Sequence, residues 1–174
     1  IASSTGGPQA LQKVISNLPS NLDAPVVVVQ HMPEGFTTIL AERLDSECSI
    51  PVREAKKGEE LQKGVVYIAP AGQHLEVVRG SNETHRFSFS DLPPIGKLKP
   101  CANVTYKSLA QTSYDLVICV VLTGMGADGT EGILSLKKDK DVYIIAQDKD
   151  SCVVYGMPRS IVEAGVVDQV NPIS

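Results

Sequence analysis

The 174-residue chain predicts an α/β fold: a doubly wound, mostly parallel sheet flanked by helices, with an antiparallel β-hairpin insertion. Short apolar runs rich in valine and isoleucine alternate with segments of helical spacing, the pattern that builds parallel strands joined by crossover helices. Glycine turns stand directly after two of these runs, at Gly6-Gly7 and Gly124 to Gly129, where strand gives way to helix. Between residues 50 and 91 the texture changes to short alternating runs, which is hairpin spacing.

Ile1 and Ala2 read as the end of a first strand, shorter than the usual five residues or so, and Asn171-Pro172 as the start of a further element. The expectation is one domain over residues 1–174, cut from a longer polypeptide. Leu11, Val14, Ile15 and Leu18 give helical spacing, with Pro8 in the first turn and Pro19 beyond the end. Val26 to Gln30 is a strand, and Phe36 to Leu44 a helix that Thr37 or Thr38 could help to start. Val65 to Ile68, His74 to Val78 and His85 to Phe89 form the hairpin region. Three prolines and a glycine make Leu92 to Pro100 a loop or arm. Helical spacing resumes from Ala102 to Thr112, Asp115 to Leu122 reads as a buried strand, and a helix over Gly129 to Lys138 leads to a strand over Val142 to Gln147. Pro158 and Gly165 bracket the last helix, and Val166 to Val170 reads as the last strand.

Composition narrows the function. The longest apolar runs, Pro25 to Val29 and Leu116 to Leu122, fall far short of the ~20 residues of a membrane span, so no membrane insertion is expected. A formal charge of −4 argues against nucleic-acid binding, which needs Lys and Arg to displace counterions. Lys137, Lys138 and Lys140 are interrupted by Asp139 and Asp141 and read as a solvated helix end. Cys48, Cys101, Cys119 and Cys152 form no CxxC pair, which removes zinc-type spacing and suits a reducing cytoplasm.

Three polar sites follow apolar runs: Ser4 to Gly7, Gln30 to Pro33, and Thr123 to Gly129. In an open parallel sheet such sites line one crevice at the carboxyl ends of the strands. Ser3 and Ser4 point in opposite directions on a strand, and Ser4 adjoins the glycine turn, which makes it the candidate nucleophile. His31 is the candidate general base, because imidazole takes a serine proton near neutral pH. Asp128 is the candidate carboxylate that orients the ring. Each has a plainer reading: turn or capping roles for the serines, a hydrogen-bonded structural role for His31, and a helix cap for Asp128. His74 and His85 suit surface or cross-strand roles. The run Gly124 to Gly129 is also a literal GxGxxG, with Asp148 about twenty residues on, as a dinucleotide site requires.

Taken together, Ser4-Thr5-Gly6-Gly7, Gln30-His31-Met32-Pro33 with Gly35-Phe36, Tyr67-Ile68-Ala69-Pro70, Leu122 to Gly126 with Asp128-Gly129, Ala146-Gln147, Ser151 to Val154 and Gly156-Met157-Pro158 resemble the chemotaxis-type protein-glutamate methylesterases, the CheB catalytic domain. The resemblance covers essentially the whole chain. It implies a triad of Ser4, His31 and Asp128, an oxyanion site at the Thr5 and Met125 backbone amides, and no metal or nucleotide cofactor. It further implies cytoplasmic hydrolysis of γ-glutamyl methyl esters on the chemoreceptor cytoplasmic domain, and deamidation of receptor glutamines. A receiver domain or a methyltransferase domain in the parent chain is implied as regulator or partner. The sequence departs from the family pattern at Ala2-Ser3, where glycine and alanine are usual, and after Pro100, where Cys101-Ala102-Asn103-Val104 lacks the usual serine and aspartate. A catalytically silent receptor-binding module and a dinucleotide-binding domain are the alternatives.

Overall fold

The computed structural model describes residues 1–174. The elements in order are β1 (Ala2–Ser3), α1 (Gly7–Ile15), β2 (Val26–Gln30), α2 (Phe36–Glu47), β3 (Val52–Glu54), β4 (Val66–Ile68), β5 (His74–Arg79), β6 (His85–Ser90), α3 (Ala102–Ser108), β7 (Leu116–Val121), α4 (Thr130–Asp139), β8 (Asp141–Gln147), α5 (Met157–Glu163) and β9 (Gln169–Asn171). Seven strands form one sheet in the order β3-β4-β2-β1-β7-β8-β9, every pair parallel. The order runs outward in both directions from the β1–β7 pair, so the topological switch, where such folds bind ligands, lies between Ser4 and Thr123.

Side chains alternate across the sheet and fill two cores. Val66 and Ile68 of β4 join Leu11, Ile15, Leu40 and Leu44 of α1 and α2 on one face. Tyr67, between them, points to the other face. There Cys119, Val121, Ile144 and Ala146 of β7 and β8 meet Tyr106, Ile133, Leu136 and Ile161 of α3 to α5. Burying each such large side chain contributes roughly 1.5–3 kcal/mol.

The doubly wound parallel sheet, its helices and the antiparallel hairpin are present as predicted, and several details differ. Val66–Ile68 belongs to the parallel sheet between β3 and β2, and only β5 and β6 form the hairpin, as a separate two-stranded sheet. Its short run is apolar on both faces, as a central strand requires. Strand β7 is buried on one face only: Leu116 and Ile118 are 54% and 58% exposed, and Ile118 lies opposite exposed Tyr143 on β8. Helix α2 begins after Gly35 in a left-handed conformation with no side-chain cap, because the Thr37 and Thr38 hydroxyls both bond Glu54 Oε2 instead. The helix expected to reach Thr112 tightens to a 3₁₀ turn at Leu109–Gln111. Of the expected last strand only the end pairs, as β9.

Both hairpin histidines are buried rather than on the surface. His85 stacks on Tyr114 with ring centroids 4.2 Å apart, and His74 Nε2 reaches Pro93 O at 3.0 Å. Lys137 and Lys138 are exposed, while Lys140 folds back to donate to the carbonyls of Thr112 and Tyr114. No helix is long and apolar enough to cross a membrane.

Candidate active site

Ser4, His31 and Asp128 sit where three chain segments leave the sheet. Ser4 follows β1, and its N–H donates to Thr123 O at 3.0 Å, which ties it to the segment after β7. His31 follows β2, and its N–H donates to Ser3 O at 3.1 Å. Two buried amide side chains lock these crossings. Gln30 accepts from Ser3 Oγ and donates to Ser4 O and His31 O. Gln147, at the end of β8, accepts from Thr123 N and donates to Ser151 O. Glycine supplies the close approach: a Cβ on Gly7 would lie 1.8 Å from Gln30 Oε1, and one on Gly124 would lie 2.8 Å from Ser4 Cβ and 2.4 Å from Met157 Sδ.

The Asp128 carboxylate accepts four hydrogen bonds. His31 Nε2 donates to Oδ2 at 2.6 Å, as does Ala102 N at 2.6 Å. Asn103 N donates to Oδ1 at 3.0 Å, and Cys101 Sγ at 3.2 Å. Burial pushes the carboxyl upward in pKa, but bonds from His31, the two amides and the thiol outweigh it and hold Asp128 below the ordinary carboxylate value. Asp128 does cap a helix, but α3 rather than the α4 that follows it, while Asn103 Oδ1 on α3 accepts from Gly129 N and Gly132 N at the start of α4. Each helix end supplies the other's missing acceptor.

The ring nitrogen bonded to Asp128 is Nε2, which leaves Nδ1 as the acceptor when the imidazole is neutral. Ser4 Oγ makes no hydrogen bond within the protein, and Ser4 is half-buried, its backbone held at both ends. Apo hydrogen bonds of this kind commonly form only with substrate in place. The N–H groups of Thr5 and Met125 donate to no protein acceptor. Both residues are exposed at the crevice, and Thr5 O accepts from Thr123 Oγ1 at 2.9 Å. Beside His31 a cleft of about 260 Å³ is lined by Met32, Pro33, Lys97, Leu98, Lys99 and Pro100.

The model of the family described as CheB methylesterase matches residues 1–174. The chain belongs to that family. It is 48% identical to a protein-glutamate methylesterase/protein-glutamine glutaminase of Geobacillus kaustophilus over 99% of this chain and 49% of the relative. It is 46% identical to the protein of the same name from Bacillus subtilis, over 99% and 48%. Among solved structures, the CheB methylesterase catalytic domain of Thermotoga maritima superposes with a TM-score of 0.94 at 45% identity, covering 99% of this chain and 90% of that one. The chain thus spans about half the length of the curated relatives it matches.

Within this CheB-family fold two bonding patterns count against the dinucleotide alternative. The Gly129 and Gly132 amides at the start of α4 are taken by Asn103 Oδ1, and Asp148 Oδ1 accepts from the Ser151 amide and hydroxyl. No group of three His, Cys, Asp or Glu side chains is placed to hold a metal ion. The residues the sequence reading left without a role are the supports: Gln30, Gln147, Cys101 and Asn103. The two glutamines carried a signal, an amide at the last position of an apolar strand. Cys101 and Asn103 carried none, because their partner is 25 or more residues away.

Proposed function

We propose that Ser4, His31 and Asp128 form the catalytic triad of a methylesterase that hydrolyses γ-glutamyl methyl esters on chemoreceptor cytoplasmic domains. The observation that carries this reading is the 2.6 Å bond from His31 Nε2 to a buried carboxylate, in a crevice where the Ser4 hydroxyl has no protein partner. Ser4 Oγ attacks the ester carbonyl as its proton passes to His31 Nδ1. Asp128 stabilises the imidazolium through Nε2–H. The tetrahedral oxyanion takes the free N–H groups of Thr5 and Met125. His31 returns the proton to the methoxide, methanol leaves, and the acyl-serine is hydrolysed by water activated at the same nitrogen, giving glutamate. No metal or nucleotide enters this route.

A glutamine side chain presents the same acyl carbon with ammonia as leaving group, so receptor deamidation belongs to the same proposal, in keeping with the double name of the relatives. The working place is the cytoplasm, where receptor signalling domains lie. The half of the relatives that this chain does not match is read as a partner segment such as a receiver domain, with a methyltransferase domain as the other possibility in the parent chain. A fluorophosphonate probe tests the nucleophile: labelling of the intact protein at Ser4 and its loss in Ser4→Ala is expected, while labelling that survives the substitution removes the reading. Receptor binding without hydrolysis by the unsubstituted protein would favour the silent binding module.

A further inference from the structure

The carboxylate of Asp128 has one neighbour whose chemistry sets it apart from the backbone amides around it. Cys101 is 2% exposed and sits just before α3 in an extended conformation, φ −118° and ψ 123°. This directs its side chain away from the helix and onto Asp128 Oδ1 at 3.2 Å. Burial first, then the adjoining carboxylate, pushes the thiol up to about 11, so it is present as S–H. A thiol is a weak donor. Asp128 therefore receives two amide bonds of ordinary strength, one from imidazole and a weak fourth.

We propose that Cys101 is a positioning residue that sets the proton affinity of the His31–Asp128 pair, and with it the acid limb of the esterase activity. The physical reason is competition for one carboxylate. The more strongly Oδ1 is bonded, the less negative charge Asp128 offers the ring, and the less it favours imidazolium. A thiol at this position withdraws less charge from the carboxylate than a hydroxyl would, and leaves more of it facing the ring. The other titratable or charged groups around the pair are Lys97 and Lys99 across the cleft, Tyr106 of α3, whose phenol Asp128 helps to push up, and Glu131 at the start of α4, bonded to Lys107 at 2.7 Å. None of them bonds Asp128. Asn103 contributes no charge, and its carboxamide is committed to α4.

The inference rests on the triad reading for its effect on rate, but its direct readout does not. His31 ring resonances are followed by NMR across pH in the intact protein and in Cys101→Ser, Cys101→Ala and Asn103→Asp. The hydroxyl of Cys101→Ser is a stronger donor, and the titration midpoint should fall by about half a pH unit. Cys101→Ala removes the donor, and the midpoint should rise by a similar amount. Asn103→Asp keeps an acceptor for α4 and adds a negative charge beside Asp128, so it should raise the midpoint and shows that the readout responds. The acid limb of kcat/KM should move in the same order. A purely structural Cys101 would change the melting temperature and leave the midpoint in place. An unmoved midpoint in Cys101→Ser, with the Asn103→Asp shift seen, overturns the proposal. Midpoints that move as stated alongside turnover insensitive to Ser4→Ala would support the proposal for the pair and reject the triad.

Discussion

Two glycine-flanked turns meet at the crevice, and they are held in opposite ways. The turn bearing Asp128 is saturated: four donors converge on the carboxylate, and the residues beside it are locked through Asn103. The turn bearing Ser4 has a backbone fixed at both ends and a hydroxyl with no protein partner. The triad proposed for this site, which would hold an imidazole still and release a nucleophile, calls for this division. Under the proposed triad, a rigid orienting end would preserve the tautomer, and an open reacting end would receive the substrate.

The largest effect should come from breaking the open end alone. Ser4→Ala should lower turnover by roughly 10⁴-fold or more, with a melting temperature within a degree or so of the parent, since no side-chain bond is lost. Breaking the rigid end should cost both activity and stability. Asp128→Asn should lower turnover by roughly 10³–10⁴-fold and destabilise by about 2 kcal/mol in urea melts, because one oxygen that accepts from two donors becomes an NH₂ that cannot. Gly124→Ala tests the contact between the turns: its Cβ would press on Met157 Sδ and Ser4 Cβ, and a loss of roughly tenfold or more in kcat with smaller change in KM is expected from a displaced Ser4. Asn103→Ala removes the acceptor for two α4 amides and should cost about 1 kcal/mol.

The smallest effect concerns acid. The folded carboxyl of Asp128 lies below its ordinary value of 3.8, so its stabilisation is complete above that value and is lost as pH falls through the lower, folded one. The stability gap between the parent and Asp128→Asn, measured by denaturant titration, should therefore narrow in strong acid. A gap that failed to narrow in strong acid, where the carboxylate itself is protonated, would contradict the bonding described for Asp128.

How much was legible in the sequence follows the range of the forces. Strand ends marked by glycine or an amide placed Ser4, His31 and Asp128 in one crevice, because parallel topology fixes where strand ends go. The pairing of β4 was not legible, since Val65 to Ile68 has the same short apolar texture in a hairpin as in a central strand. The one-sided burial of β7 was equally hidden: Leu116 and Ile118 are as apolar as Cys119 and Val121, and only the three-dimensional placement of helices separates them. Capping of α3 by Asp128 and of α4 by Asn103 could not be read either, because both caps come from another segment of the chain.

Methanol release from methylated receptor cytoplasmic fragments measures Ser4-dependent ester hydrolysis itself. The intact protein should release methanol, and its folded Ser4→Ala variant should release none above background. Equal release from both, or none from the folded parent on receptors shown to be methylated, would contradict it.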